Sequence, residues 1–467
     1  MRDLVIRARL TDALRGRDII VAIKRSLVSE PVAAIEPVQR AWNYPLFDAI
    51  FQRRARRFPL GAEMPGDLAP FKSMKEAVPL DEIEEAMLVM AGTGISGINL
   101  ADLPYNEKEG GNYCGNTMLQ WVGRVYASAC GSHGTELFYT NDEGTYMVKM
   151  RDKLPSQMQE FESLDDREKI VQAFRANTEK ISEGRLDIPM VPGVTQPFNW
   201  WNSNQPGTTL FMPISDVTWE YINVLMLVMD EPNSYYIYDD LNGNAEPLKE
   251  WADKGYLDRA RPYPLSSVEN ALSMIVTGVE QGLMLQNMYL ALQSMGLGGW
   301  IYSTSVSQMV LGLMGFQFHS PARFGPIKPL DQSTGPLPTP VGLDGLFQAY
   351  CPPYYPDMGA AVQAIWDAKW GRAGIYKEEG GPAAYKNRQG LDKQVNRTPD
   401  WCLEASKALC DYIWNTYERF PAIIDPMQMN IWFQAHHLET DFYDQYFQPG
   451  AYHQAVKDHM GVWHGAR

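Results

Sequence analysis

A long segment with almost no charge, Ser267 to Met295, limits the folds open to this chain more than any other part of the sequence. Its apolar residues recur at helical spacing, and its charged residues are only Glu269 and Glu280. A helix with so few charges is typically buried in a core, and its methionines and leucines are most simply packing residues. The glycine-rich turn after Met295 ends the pattern. The sequence therefore predicts a globular fold built around one long buried helix.

The overall composition excludes several classes of protein. The chain has 467 residues and a formal net charge of -15, which argues against a nucleic-acid partner because phosphate backbones require a concentrated basic surface. We find no run of about 18 apolar residues of the kind that spans a bilayer, so we expect no membrane partner. The five cysteines are scattered and without metal-ligand spacing, which favours reduced thiols in the cytoplasm.

Helical and strand-like patterns alternate along the chain and predict an α+β fold, a mixed sheet flanked by helices. Helices are predicted at 44–57, 80–90, 157–183, 218–229 and 267–295, and strands at 137–140, 145–148, 208–212 and 235–238. The turn at Asn141 to Gly144 predicts a hairpin between the first two strands. A segment rich in proline and glycine, 320–357, suggests a boundary. We expect an N-terminal helical arm at 1–43, a central domain at 44–335 and a mainly helical, aromatic-rich extension at 336–467.

Four arginines lie within five residues directly after the first of these helices: Arg53, Arg54, Arg56 and Arg57. Guanidinium groups bind phosphate oxygens in bidentate geometry and stay charged at any working pH. So small a cluster suits one small anion better than a duplex. Taken alone, however, such a cluster is more often a solvated surface patch.

The residues around this cluster resemble the nitroreductase superfamily. Residues 49–58 are similar to the opening motif of that family, in which two arginines, a serine, a variable residue and a further arginine hold the phosphate of FMN. The resemblance implies that Arg53, Arg54 and Arg57 bind phosphate. Ala55 stands in place of the usual serine, so one hydroxyl contact is lost.

A second motif has two competing placements. Residues 124–131 and the strand after them resemble the flavin-binding loop of the azoline dehydrogenase branch, which implies cofactor contacts at Ser128 and Ala129. Residues 95–99 instead resemble the serine-glycine-x-asparagine loop of ordinary nitroreductases, which implies contacts at Ser96 and Asn99. We slightly prefer the first placement because a strand and a glycine-tyrosine turn follow it directly.

The third motif is the most specific of the three. Residues 279–298 resemble the long central helix of the family, with its glutamine-asparagine pair and its terminal glycine-leucine-glycine. The resemblance implies that Gly298, Gly299 and Trp300 pass the flavin ring. It also makes Arg323 a candidate for a further phosphate contact.

Together, the three motifs imply that 44–335 is an FMN-binding domain and that the chain is an FMN-dependent oxidoreductase, working as a homodimer that shares the cofactor between subunits. The expected hydride donor is NADH or NADPH, and the expected substrate is a nitro-aromatic, quinone, enone or natural-product intermediate. The lysine-tyrosine pair of the azoline dehydrogenases is missing, so azoline oxidation is not expected, and no catalytic residue is identified. The alternative is a non-catalytic member of the fold, with or without flavin, that acts as a binding or scaffold protein.

Five of the seven histidines lie in the C-terminal extension: His436, His437, His453, His459 and His464. Imidazole and carboxylate groups suit zinc or iron, but none of these histidines has the HExxH or ExxH spacing that places ligands on one helix face. We therefore predict no metal site. The aromatic residues of the extension are interpreted as a packing surface, a lid over the flavin, or a docking surface for a partner.

Overall fold

The computed structural model of the chain describes residues 35–98, 122–151, 169–192, 194–272, 278–302, 307–319, 339–377, 386, 397–423 and 431–465. Most of the predicted N-terminal arm and two predicted cofactor residues, Asn99 and Arg323, lie outside these ranges.

The strands of the described residues are β1 (Glu63–Met64), β2 (Phe71–Lys72), β3 (Ile95–Ile98), β4 (Val122–Arg124), β5 (Thr135–Asn141), β6 (Gly144–Val148), β7 (Thr178–Glu183), β8 (Thr209–Ser215), β9 (Tyr235–Tyr238), β10 (Asp258–Pro264), β11 (Gly298–Tyr302), β12 (Gln317–His319), β13 (Thr339–Leu343), β14 (Phe347–Gln348) and β15 (Trp432–His436).

The helices of the same residues are α1 (Glu36–Trp42), α2 (Leu46–Phe51), α3 (Glu82–Thr93), α4 (Lys169–Asn177), α5 (Thr218–Met229), α6 (Lys249–Asp253), α7 (Leu265–Leu272), α8 (Gln281–Met295), α9 (Ser307–Leu313), α10 (Met358–Trp370), α11 (Asp400–Tyr417), α12 (Thr440–Tyr446) and α13 (Gln454–Trp463). None of the helices described is long and apolar enough to cross a membrane.

A six-stranded sheet with the strand order β11-β15-β8-β5-β6-β7 forms the centre of the molecule. All of its strand pairs are antiparallel. Strand side chains alternate between two cores: Leu137 and Tyr139 face α3 and α8, whereas Phe138 faces the side of α9 and β13. Together with the helices on its faces, this sheet confirms the predicted α+β class.

The hairpin between β5 and β6 forms as predicted. The side-chain oxygen of Asn141 accepts hydrogen bonds from the backbone amides of Glu143 (2.9 Å) and Gly144 (3.2 Å), which fixes the tight turn. Gly144 also leaves room for the neighbouring strand, since a Cβ there would lie 2.8 Å from the carbonyl oxygen of Ser182.

The C-terminal part of the chain supplies an interior strand of the sheet. β15 pairs with β11 on one side and with β8 on the other, so the sheet takes strands from both sides of the boundary predicted near residue 335. Deleting everything after that residue would therefore leave β11 and β8 without their shared partner.

A second core packs α5, α10 and α11 together beside β9 and β10, which form a parallel pair. Both α5 and β9 lie where the sequence predicted a helix and a strand. The helix predicted over 157–183 is partly wrong: α4 ends at Asn177, and 178–183 form the edge strand β7, which pairs with β6. Strand pairing overrides local helical propensity here.

The predicted helix at 267–295 corresponds to α7 and α8, and residues 273–277 lie outside the described ranges. The core position is confirmed for α8, which buries Met284, Met288 and Leu292. α8 ends as predicted, because Gly296 adopts a left-handed conformation with φ 81°.

Gly296 and Gly282 form a matched pair for testing the end of α8. A Cβ on Gly296 would meet the carbonyl oxygen of Ala455 at 2.2 Å and would be strained by its positive φ. A Cβ on Gly282, inside the helix, would have no atom within 4 Å. We expect Gly296→Ala to lower the free energy of unfolding by about 1–3 kcal/mol and Gly282→Ala to raise it by up to about 1 kcal/mol. Denaturant unfolding of both variants measures this, and equal effects would contradict it.

Candidate functional site

Two segments predicted to bind a cofactor meet at the edge of the main sheet. The backbone amide of Arg56 donates to the carbonyl oxygen of Gly299 at 3.0 Å, as an isolated antiparallel bridge beside β11. The next residue, Arg57, places its guanidinium carbon 3.9 Å from the ring centroid of Trp300. The structure thus brings the arginine cluster against Gly298–Trp300, although about 240 residues separate the two segments. We call this contact the arginine junction.

The arginines follow α2, which ends at Phe51, so the helix predicted to reach Arg57 is shorter than expected. α8 fixes the segment beyond the helix. The backbone amide of Arg54 donates to the side-chain oxygen of Gln293 at 3.2 Å. The guanidinium carbon of Arg53 lies 5.0 Å from the ring centroid of Tyr289, four residues earlier on the same face of the helix.

The guanidinium groups of the junction differ in how they are held. Arg57 donates to the side-chain oxygen of Asn199 at 2.5 Å. Asn199 belongs to a short 3-10 helix at 197–202. Arg54 donates to the backbone carbonyl oxygens of Phe51 (3.3 Å) and Arg53 (3.0 Å). Among the described residues, neither Arg53 nor Arg54 has a carboxylate partner. Their positive charge is therefore left available to an anion.

The glycines of the junction are enclosed by protein. A Cβ on Gly299 would lie 2.6 Å from the carbonyl oxygen of Gln434 and equally close to the side chain of Leu292. A Cβ on Gly298 would lie 2.7 Å from the side chain of Leu438, and Trp300 is buried. The close approach of β15 and α8 thus accounts for both glycines without a ligand. Contact between these residues and a flavin ring stays a prediction.

The other two predicted loops lie elsewhere. Ser96 is part of β3, which pairs with β4. In the loop containing Ser128 and Ala129, the hydroxyl oxygen of Ser128 accepts from the backbone amide of Ser132 at 3.2 Å. Ser132 in turn donates through its hydroxyl to the carboxylate of Glu280, which directly precedes α8.

The Ser128 loop and the arginine junction are therefore anchored at opposite ends of α8. Glu280 and Gln293 are thirteen residues apart, which is about 20 Å along a helix axis. Within one chain, the structure brings Arg53–Arg57 together with Gly298–Trp300 but leaves the Ser128 loop apart from both. A small ligand bound at the arginine junction would therefore not also reach the Ser128 loop of the same chain.

Sequence reasoning missed several residues of the junction. Tyr289 and Gln293 lie within the recognised helix motif, but no role was predicted for either. The hydroxyl of Tyr289 donates to the carbonyl oxygen of Gly299 at 3.2 Å. The hydroxyl oxygen of Tyr443 accepts from the backbone amide of Arg57 at 2.9 Å. Nothing in the local sequence signals Tyr443, whereas the four-residue spacing of Tyr289 and Gln293 is a usable signal.

A group of buried titratable residues lies near the Ser128 loop and was also missed. Burial raises the pKa of Glu220 to about 8 and lowers the pKa of Lys369 to about 7. The lysine amine donates to the side-chain oxygen of Asn223 at 2.7 Å. Burial, followed by the charge of Glu220, raises the pKa of Cys130 to about 12. The Cys130 thiol is therefore protonated at neutral pH and a poor nucleophile.

Comparison with known proteins gives little further guidance. No family model matches the sequence, and no curated protein matches it. Among solved structures, a "putative nitroreductase" from Ralstonia eutropha matches with 11% sequence identity and a TM-score of 0.27, covering 58% of this chain and 76% of that one. A TM-score this low does not show that the two proteins share a fold.

The raised pKa of Glu220 predicts how stability depends on pH. The carboxyl stays neutral in the folded chain up to about pH 8, whereas it ionises near its ordinary pKa of 4.5 once unfolded. The stability that the neutral Glu220 carboxyl contributes to the folded chain is therefore fully present below pH 4.5 and is lost as the pH rises through 8. We expect Glu220→Gln to flatten the fall of stability over this window and to stabilise the chain at pH 7.5 by about 1 kcal/mol or more.

Thermal unfolding between pH 5 and 8 measures this effect. Glu179→Gln, at an exposed position of β7, is the matched control and should leave the slope unchanged. The prediction fails if the Glu220 variant and the control show the same pH dependence.

Proposed function

We propose that this chain is an FMN-dependent oxidoreductase that transfers hydride between the flavin and a small organic substrate, with NADH or NADPH as the donor. The arginine junction is the observation that carries the proposal. It joins two motifs that lie far apart in the sequence, and neither Arg53 nor Arg54 has a carboxylate partner within the part of the chain that the structure describes. The candidate substrates are a nitro-aromatic, a quinone, an enone or a natural-product intermediate.

The donor set suits the phosphate end of FMN. Arg53 is exposed and Arg54 partly so, and both carry N–H groups that can form charge-assisted hydrogen bonds with phosphate oxygens. Tyr289 and Gln293 hold the two residues in place. Arg57 contributes charge from further inside, where Asn199 and Trp300 orient its guanidinium. When bound, FMN would supply the hydride chemistry, and the chain would bind and orient it.

At Gly298–Trp300, where the flavin ring is predicted to pass, β15 and α8 pack closely against the strand. A homodimer reconciles this with the proposal, since the Ser128 loop of a second copy could then complete the site. Exposed apolar side chains directly before the arginines support such an interface: Leu46 (61% exposed), Phe47 (69%), Ile50 (41%) and Phe51 (76%). Apolar patches of this kind commonly mark protein interfaces.

The non-catalytic alternative is favoured by the same close packing and by Ala55. In that case, the arginines bind a different small anion or none, and the fold acts as a binding or scaffold protein. An absorption spectrum of the freshly purified chain separates the two. A yellow protein that releases FMN supports the enzyme, whereas a colourless protein that FMN does not reconstitute supports the alternative.

The phosphate assignment predicts the effect of removing single arginines. We expect Arg53→Ala and Arg54→Ala each to weaken FMN binding about tenfold or more, since a hydrogen bond to a charged group contributes about 1.5–3 kcal/mol. Fluorescence titration with FMN measures the change. Arg40→Ala removes an exposed arginine that pairs with Glu36 on α1, and it should bind FMN like the unmodified chain. Unchanged affinity in both junction variants would overturn the assignment.

The proposed dimer is tested at the apolar face of α2. We expect Phe51→Glu to weaken self-association by at least about tenfold, because it places a charge in the interface. Light scattering over a concentration series measures the change. Leu68→Glu is the control, since Leu68 is 97% exposed and belongs to the connection between β1 and β2 instead of α2. A chain that is monomeric before any substitution, or equal behaviour of the two variants, would refute the interface.

A further inference from the structure

Four side chains from distant parts of the sequence form a buried cluster between the first turn of α3 and the helix α13. Glu84 lies in the first turn of α3, His437 follows β15, His459 lies on α13 and His464 ends that helix. Each offers one potential ligand atom, and the four atoms lie within 4.8 Å of one another. We call this group the His–Glu cluster.

The atoms of the cluster converge on one point. Glu84 Oε1 lies 3.2 Å from the Nε2 atom of His437, 2.9 Å from that of His459 and 3.2 Å from that of His464. The Nε2 atoms of His437 and His464 are 3.1 Å apart. The side chains are 0%, 0%, 3% and 8% exposed for Glu84, His437, His459 and His464, so water is largely excluded.

Backbone contacts determine the tautomers of two of these rings. His437 Nδ1 lies 2.8 Å from the carbonyl oxygen of Val78, and His459 Nδ1 lies 2.8 Å from that of Met295. A carbonyl oxygen can only accept, so both Nδ1 atoms carry a proton. In the neutral rings, both Nε2 atoms then present a lone pair towards the cluster, where the Glu84 oxygen also presents lone pairs.

Something positive must therefore lie among these atoms. Protons alone would have to charge both His437 and His459, since each ring already commits its Nδ1 proton to a backbone carbonyl, and burying charged groups is costly. The carboxylate of Asp81 accepts hydrogen bonds from the backbone amides of Ile83 and Glu84 and is not one of the four converging groups. His459 Nε2 also lies close to Glu84 without meeting the angles of a hydrogen bond. One cation at the centre would satisfy all four atoms.

We propose that the His–Glu cluster binds a single divalent transition-metal ion, for which zinc is the best-suited candidate. Three imidazole nitrogens and one carboxylate oxygen form a donor set that zinc takes in tetrahedral geometry, with bonds of about 2.0–2.2 Å. Ligand atoms in such a site lie about 3.3 Å apart. The pairs at 2.9–3.2 Å would expand slightly around an ion, and the wider pairs, within 4.8 Å, would draw together. The Nδ1–carbonyl hydrogen bonds are the outer contacts that orient metal-binding imidazoles.

The role of the ion follows from its surroundings. Four protein ligands fill a tetrahedral shell and leave no position for a substrate, which is typical of a structural site. The ion would tie α13 and the chain after β15 to the first turn of α3. This departs from the absence of a metal site predicted from the sequence, because that prediction considered only spacings within one helix. Glu84 lies 353 residues from His437 and could not be paired with it by spacing.

The first experiment measures the metal content of the full chain, purified without chelator and with any affinity tag removed. Elemental analysis should find about one ion per chain. Chelator-treated protein should regain one equivalent of Zn²⁺ with a rise in melting temperature, and Co²⁺ should give the visible absorption of a tetrahedral site. The proposal is overturned if the chain binds neither Zn²⁺ nor Co²⁺ and if neither ion changes its melting temperature.

Substitutions then locate the site. Glu84→Gln keeps a side chain that can still serve the N-terminal cap of α3 but removes the charged ligand. His464→Gln changes the most exposed of the four ligands, at 8% exposure, which makes it the variant least disruptive to folding. Each should weaken Zn²⁺ binding at least tenfold. His453→Gln is the control, since His453 precedes the same helix without belonging to the cluster. Variants that bind Zn²⁺ as tightly as the control would refute the assignment.

Discussion

The pairing of β15 with β8 and β11 is the constraint on which the rest of the structure depends. This strand joins residues 432–436 to strands that lie well over a hundred residues earlier in the chain. It fixes β11, whose Gly299 carbonyl receives Arg56, and it places His437 directly beyond its end. Neither the arginine junction nor the His–Glu cluster could form before residue 436 is in place. Such long-range pairing closes large loops and is typical of slow folding steps.

The two sites differ in how they treat charge. At the arginine junction, Arg53 and Arg54 remain at least partly exposed and have no carboxylate partner among the described residues, which suits the proposed anion site. The His–Glu cluster is enclosed, and its polar atoms face one another with little access to water. The first arrangement is accessible from solution, whereas the second is closed off by the surrounding fold.

Local patterns predicted much of the fold. The α+β class, the β5–β6 hairpin, α5 and the glycine end of α8 follow from residue periodicity and turn chemistry that act over a few positions. The helix expected over 157–183 was wrong in its last part, because β7 is defined by its partner β6. β15 was missed for the same reason, since its neighbours β8 and β11 are remote in sequence.

The candidate sites divide in the same way. The arginine cluster was visible in the sequence because its members are adjacent, and a family resemblance linked it to Gly298–Trp300. The side chains that hold it, such as Asn199 and Tyr443, come from segments that nothing in the sequence connects to it. Glu84 likewise lies in the predicted helix at 80–90, and no local pattern connects it to the histidines. Its relation to the histidines exists only in the folded chain.

The two oxygens of the Glu84 carboxylate have different partners. One oxygen accepts from the backbone amide of Asp81 at 2.7 Å and completes the capping box of α3, while the other faces the histidines. A rigid carboxylate cannot turn towards one set of partners without moving from the other. By reciprocity, whatever strengthens one contact also stabilises the orientation that the other requires. The first turn of α3 and the helix α13 are therefore coupled, so that fraying of either one would destabilise the other.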